Sequence, residues 1–238
     1  MQTTGTDMRD SKARSRPAHM RVAAAQLLLT SVAPMAGLDL YDAGAKLVAE
    51  LIVDQYPDLL EIELDDNRIS DASAEVLGAA IRTSTELRTL HLDGNDLTAD
   101  AVQHLIEPLC SGKLRRLHFN DNMLGDAGAT LLASLIERSH TLRVLNLKRA
   151  PPSLPPRVPL QWMRSKCQGA SHRIALRTGN GIGEQGARAL LTAVRNSGSP
   201  FLQHVRVQGN GVPEEMQEEI DFAVLERSST LHKAGGEL

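Results

Sequence analysis

Glu63, His91 and His118 are the residues whose types and spacing most invite chemistry. Each is the middle residue of a short apolar alternation, at 62–64, 90–92 and 117–119. If those alternations are neighbouring strands, the three side chains stand in one row, about 4.8 Å apart. A carboxylate beside two imidazoles is a set that a metal ion or an acid–base pair would use. The same row is ordinary for a solvated strand face, and nothing in the sequence closes a pocket over it. No catalytic residue, metal ligand or cofactor is therefore assigned. No Ser/His/Asp, Cys/His or phosphate-loop constellation stands out, and the glycines of GNGIGEQG (179–186) are explained by the repeat described next. Cys110 and Cys167 form no disulfide framework and neither lies near a second Cys or a His at metal spacing, so a reduced, cytoplasmic setting is the simple reading. Cys110 reads as a small apolar residue at a helix end, and Pro108 is expected to shorten that helix.

The elements that must position this row emerge from four asparagines, Asn67, Asn95, Asn122 and Asn210. Apolar residues stand at fixed distances from each: Leu59, Ile62, Leu64 and Ile69; Leu87, Leu90, Leu92 and Leu97; Leu114, Leu117, Phe119 and Leu124; Leu202, Val205, Val207 and Val212. The pattern is LxxLxLxxNxL, and its first three copies are offset by 28 and 27 residues. The LxL part alternates with period two, as a strand with one buried face does; after the asparagine, apolar residues recur at helical spacing, as in Ala74, Leu77 and Ile81. Each unit is strand, turn and helix. It cannot bury its apolar face alone, so units must stack. Strands then run parallel in one sheet with helices behind it. Helices are bulkier than strands, so the stack curves with its strands inside. The asparagine amide offers donor and acceptor groups to the backbone where each strand ends. The DAGA segments at 42–45 and 126–129 suit a crowded helix entry, with Asp at the positive helix N-terminus.

This pattern resembles the leucine-rich repeats of the ribonuclease-inhibitor type, which also occur in NOD-like receptors and the Ran GTPase-activating protein. The resemblance covers roughly residues 38–229 with one interruption. It implies an α/β fold, a right-handed horseshoe-shaped solenoid with an asparagine ladder and a concave parallel sheet that binds partners. It is specific for fold and weak for function, because this fold hosts many. A GTPase-activating protein resembling the Ran regulator is the alternative it raises, with no family-specific catalytic motif here to carry that activity over. A repeat fragment of a larger NOD-like receptor is a third reading.

The array begins with a degenerate unit at 38–52, and residues 1–20 read as a disordered tail, although the basic stretch followed by VAAAQLLLTSVA also has the look of a targeting peptide. Residues 21–228 form the solenoid. Residues 229–238 read as a truncated repeat start or a frayed tail, because ERSSTLHKA (226–234) opens like ERSHTLRVL (137–145) and leaves an apolar edge uncovered. The interruption lies at 149–178. Deleting those 30 residues joins LRVLNLK to GNGIGEQGARALL and restores a near-perfect unit; two degenerate units are the alternative. The stretch holds five prolines, and from 148 to 183 there are seven Lys or Arg and no acid. It is expected to leave the body as a loop of polyproline II character. It is a loop without a role (a retained intron, for instance), an SH3-type ligand through Pro152, Pro155 and Arg157, or a contact for an anionic partner.

Function would sit on the outward strand residues: Glu61, Glu63 and Asp65; Thr89, His91 and Asp93; Arg116, His118 and Asn120; Val144, Asn146 and Lys148; His204, Arg206 and Gln208. The face runs from acidic to basic and would orient a partner of matching polarity. The chain-wide net charge of −3 gives no argument for nucleic acid or a membrane surface, and no run of ~20 apolar residues provides a membrane span. The reading is a non-catalytic protein-interaction module, a scaffold or regulatory adaptor.

Overall fold

The computed structural model of the 238-residue chain describes residues 32–84, 86–148, 179–197, 199 and 201–234. The tail at 1–20, the proline motif of Pro152, Pro155 and Arg157, and Cys167 lie outside the described residues.

Six strands, β1 (Val32–Pro34), β2 (Glu61–Glu63), β3 (Thr89–His91), β4 (Arg116–His118), β5 (Val144–Asn146) and β6 (His204–Arg206), form one sheet in chain order. Every neighbouring pair is parallel. Between them run α1 (Tyr41–Gln55), α2 (Ala74–Thr83), α3 (Ala99–Ser111), α4 (Gly125–Arg138) and α5 (Glu184–Asn196), and α6 (Glu214–Ala234) follows β6. Among the described residues each helix packs on the next one in sequence, as in a stack of units. The core is the seam between sheet and helices. It takes in the second and third apolar positions of every full unit (Ile62 and Leu64, Leu90 and Leu92, Leu117 and Phe119, Leu145 and Leu147, Val205 and Val207), all at most 2% exposed. On the helix side α4 buries Gly128, Ala129, Leu132, Ala133, Leu135 and Ile136, the three-and-four spacing of one helical face.

Three details depart from the sequence reading. The first strand lies upstream of residue 38, where the array was expected to begin: Ala33 pairs in register with Ile62. Met35 and Leu40 then fill buried positions, and Leu38 stands where later units carry asparagine. Pro108 does not shorten α3, which runs on to Ser111. A proline ring crowds the carbonyl four residues earlier. Here that carbonyl belongs to His104 and faces Gly78 of α2, where a side chain's first carbon would come within 3.1 Å of it. Finally, α6 continues through residues 229–234 instead of opening a new unit. It also serves the end of the sheet: Gln217 accepts from Val207 N (3.0 Å) and donates to Val205 O (3.4 Å), satisfying backbone that an edge strand would leave open. Phe222 and Leu225 of the same helix are 62% and 66% exposed.

Candidate functional site

The strand register sets two rows of side chains on the sheet face away from the helices. One is Glu61, Thr89, Arg116, Val144 and His204; the other is Glu63, His91, His118, Asn146 and Arg206. Glu63, His91 and His118 therefore share a row, as their spacing requires. Their contacts differ from those of a metal centre. His91 and His118 stack with ring centroids 4.2 Å apart, and His91 Nε2 meets Glu61 Oε1 at 3.1 Å, across the rows. His91 Nδ1 lies 3.8 Å from Asp65 Oδ2. Among the described residues no group of three or more His, Cys, Asp or Glu is placed to hold a metal ion.

His118 is lowered to about 4, first by burial and then by His91, Arg116 and Arg206, so it is neutral near pH 7. Its Nδ1 stands 3.3 Å from Asn146 Nδ2 and accepts from it, which puts the ring proton on Nε2. Asn146 is 8% exposed, and its Oδ1 has no hydrogen-bond partner among the described residues.

The third outward position of each strand does other work. Asp65 accepts from Asp93 N (2.7 Å), Asp93 accepts from Asn120 N and Nδ2 (both 2.7 Å), and Asn120 accepts from Lys148 N (2.8 Å). Asp65 and Asp93 thus act mainly on the backbone of the next unit. Burial pushes Asp93 up to about 6, with Asp65 adding to the rise, and burial also raises Asp65. The acidic end available to a partner narrows to Glu61 and Glu63. At the basic end Arg116 is exposed, Arg206 and Lys148 are half-buried, and among the described residues Arg116 and Arg206 have no ion-pair partner.

Behind the face, the asparagines do what the turn demands. Asn95 accepts from Asn67 N (3.2 Å) and Ile69 N (3.0 Å) and donates to Leu64 O (2.9 Å) and Leu92 O (3.0 Å). Asn67, Asn122, Asn180 and Asn210 repeat parts of this arrangement. Asn180 donates to Phe119 O (2.8 Å) and Leu147 O (3.0 Å), and β5 pairs directly with β6. A set of bonds that sequence reading missed runs along the helix entries. Asp42 takes Ser70 N and both Ser70 and Ser73 hydroxyls, Asp71 takes Thr98 N and its hydroxyl, and Asp126 takes Gly183 N and Gly186 N. For Asp42, burial raises the carboxyl, but the bonds from Ser70 and Ser73 outweigh it and hold it low. The signal was present in an Asp two residues past Leu40, Ile69 and Leu124, facing a Ser, Thr or Gly at the helix entry one unit later.

The leucine-rich-repeat family model matches residues 112–133, the stretch from the start of the β4 unit into α4. The ribonuclease inhibitor of Sus scrofa is 30% identical over 147 residues, covering 59% of this chain and 31% of that protein. This chain carries leucine-rich repeats of the ribonuclease-inhibitor type. The repeat chain thus spans about a third of the length of that curated relative. Its fold is similar to two solved structures: leiomodin-1 actin-binding site 2 (TM-score 0.54, 10% identity, 78% of this chain and 90% of that one) and the tropomodulin C-terminal domain of Caenorhabditis elegans (TM-score 0.53, 14% identity, 80% and 96%). At these identities the likeness concerns fold alone. The leucine-rich-repeat sheet brings Glu61, Glu63, His91, Arg116, His118, Asn146 and Arg206 onto one face and sets Asp65, Asp93 and Lys148 along its edge. Among the described residues no helix is long and apolar enough to cross a membrane.

Proposed function

We propose that this chain is a non-catalytic protein-binding module, a scaffold or regulatory adaptor, that holds its partner on the strand face of a right-handed, curved solenoid. The observation that carries this is the register itself. Ten outward side chains stand in two unbroken rows, apolar Val144 alone among them, on a sheet whose other face is wholly engaged with helices. A rigid array of polar side chains at fixed spacing suits recognition of a surface; a catalytic centre would need convergence on one point. What the curated relative's name prints, ribonuclease inhibition, agrees with binding over catalysis.

The module is read as residues 21–228, with 149–178 inserted between Lys148 and Gly179 of a single unit. In support, Asn180 reaches back to Leu147 O as each ladder asparagine reaches its own strand end.

The test is an affinity capture from the native cell, read by mass spectrometry, with the intact chain and with an Arg116→Glu, Arg206→Glu variant as paired baits. Circular dichroism first establishes that both are folded. A protein held by the first and lost by the second is the expected outcome. Identical captures would move the binding element off the strand face.

A further inference from the structure

The outward positions of β4, β5 and β6, with the residue after each strand's second apolar position, contain no acid: Arg116, His118, Asn120, Val144, Asn146, Lys148, His204, Arg206 and Gln208. Glu61, Glu63, Asp65 and Asp93 all belong to β2 and β3 and the turns after them. With Asp65 and Asp93 engaged on backbone, the sign of the face therefore reverses between β2 and β4, over about 10 Å. Arg116 and Arg206, in different rows and on strands separated only by β5, are about 12 Å apart, two strand spacings across and two residues along. Neither has an ionic partner among the described residues, whereas the acid nearest the centre of the face, Glu61, already holds His91.

We propose that the basic end of the face, Arg116 and Arg206 with Lys148 beside them, docks a short acidic segment of an extended partner polypeptide. This rests on the protein-binding reading above and names the chemistry of the partner. Charge complementarity selects acidic side chains for the guanidinium groups, which pair carboxylates through two parallel bonds. Alternate residues of an extended chain project about 7 Å apart on one side, within the reach of two long arginine side chains rooted about 12 Å apart. The reversal of sign argues against a uniform polyanion. A polynucleotide continuing along the face would run its phosphates onto Glu61 and Glu63 within two strand spacings, whereas a polypeptide can change sign there.

Three labelled probes decide it: a peptide of about twelve residues alternating Glu and Ser, long enough to cross the sheet, its Lys/Ser counterpart, and an oligouridylate of matching length. Each is titrated by fluorescence anisotropy into the full chain, into Arg116→Gln and Arg206→Gln, and into the pair Glu61→Gln with Glu63→Gln. All four positions lie outside the core, and unchanged urea midpoints serve as the check on folding. The expected result is binding of the Glu peptide that weakens as salt rises, falls about tenfold in each arginine variant, and does not fall in the glutamate variant. Undiminished binding of that peptide by the arginine variants overturns the proposal. So does tighter binding of the oligouridylate that is lost in those variants. So does self-association of the wild-type chain in sedimentation that those variants abolish, since a second copy would then be the occupant. If only the Lys peptide binds, and is lost in the glutamate variant, the acidic-segment proposal fails while the protein-binding reading stands. If no probe binds, the proposal fails and the wider reading is decided by the affinity capture.

Discussion

His118 and Asp93 sit on adjacent strands and titrate in opposite senses. The unfolded chain takes up a proton at His118 near the ordinary 6.5, the folded chain only near about 4. Across that window the unfolded state binds more protons, so this side chain's contribution is complete above 6.5 and is lost as pH falls. Asp93 keeps its proton to about 6 in the folded state, against 3.8 ordinarily, so its contribution is lost as pH rises between those values. At about 1.4 kcal/mol per pH unit the ceiling for each is about 3 kcal/mol, less the screening that partial exposure allows. In the native chain the two slopes oppose between about pH 4 and 6, so these two groups together add little net slope there. His118→Gln should unmask a fall in urea midpoint as pH rises through that range, and Asp93→Asn a rise. Parallel profiles for the native chain and both variants would remove these two groups from the account. At this scale the sequence spoke clearly where one residue type does one job. The ladder asparagines and the inward leucines were readable from spacing alone. Asp65 and Asp93 were not, because an acid on a strand face looks the same whether it waits for a partner or accepts from the next unit's N–H. The difference lies in the partner 27 or 28 residues away.

At the scale of elements, the tightest fit lies between α4 and α5. A side chain's first carbon at Gly186 would stand 2.7 Å from Asp126 Oδ1, 2.9 Å from Ala129 Cβ and 3.0 Å from the Asp126 backbone. Two of these three atoms are fixed by helix backbone, so they cannot swing away. Gly186→Ala gains about 1 kcal/mol of helix propensity but must separate the helices, an overpacking cost of about 1–3 kcal/mol. It also strains the bonds from Gly183 N and Gly186 N to Asp126. The expected outcome is a net loss of about 1–2 kcal/mol in urea unfolding; a more stable variant would mean that the helices slide at no cost. Helix existence and facing were legible from three-and-four spacing. The first strand was not, because Ala33, Met35 and Leu38 stand where the pattern has two leucines and an asparagine. Counting back from the shared DAGA at 42–45 and 126–129 would have found it. Pro108 misled for a related reason: its cost is local, and the room that absorbs it is Gly78 on another helix.

For the molecule as a whole, the junction between Lys148 and Gly179 is the decisive place. Leu147, Lys148, Gly179 and Asn180 would reproduce the spacing of Phe119, Asn120, Asp121 and Asn122 if joined directly. A chain lacking 149–178 should therefore fold with the same strand register and gain roughly 1–3 kcal/mol, because closing a long connection costs entropy that a direct junction avoids. Matching circular dichroism with a higher urea midpoint is the expected reading; loss of cooperative unfolding would mean that those residues belong to the packed body. The period of the array and the order of its strands were legible because each unit repeats the same text. The polarity of the face was legible too, as a gradient, but its usable width was not: two of the acids turn out to be bonded to backbone.

The side-chain ladders run in opposite directions. Asn95 hands its amide back to the unit before it, while Asp42, Asp71 and Asp126 hold N–H groups of the unit after them. The β1–β2, β2–β3 and β4–β5 seams are thus stitched from both sides. A cut at one of these three would strand side-chain-held backbone on both new ends, so a truncation series made one unit at a time should lose more stability there than at the β3–β4 or β5–β6 seam, where among the described residues no helix-entry aspartate reaches forward.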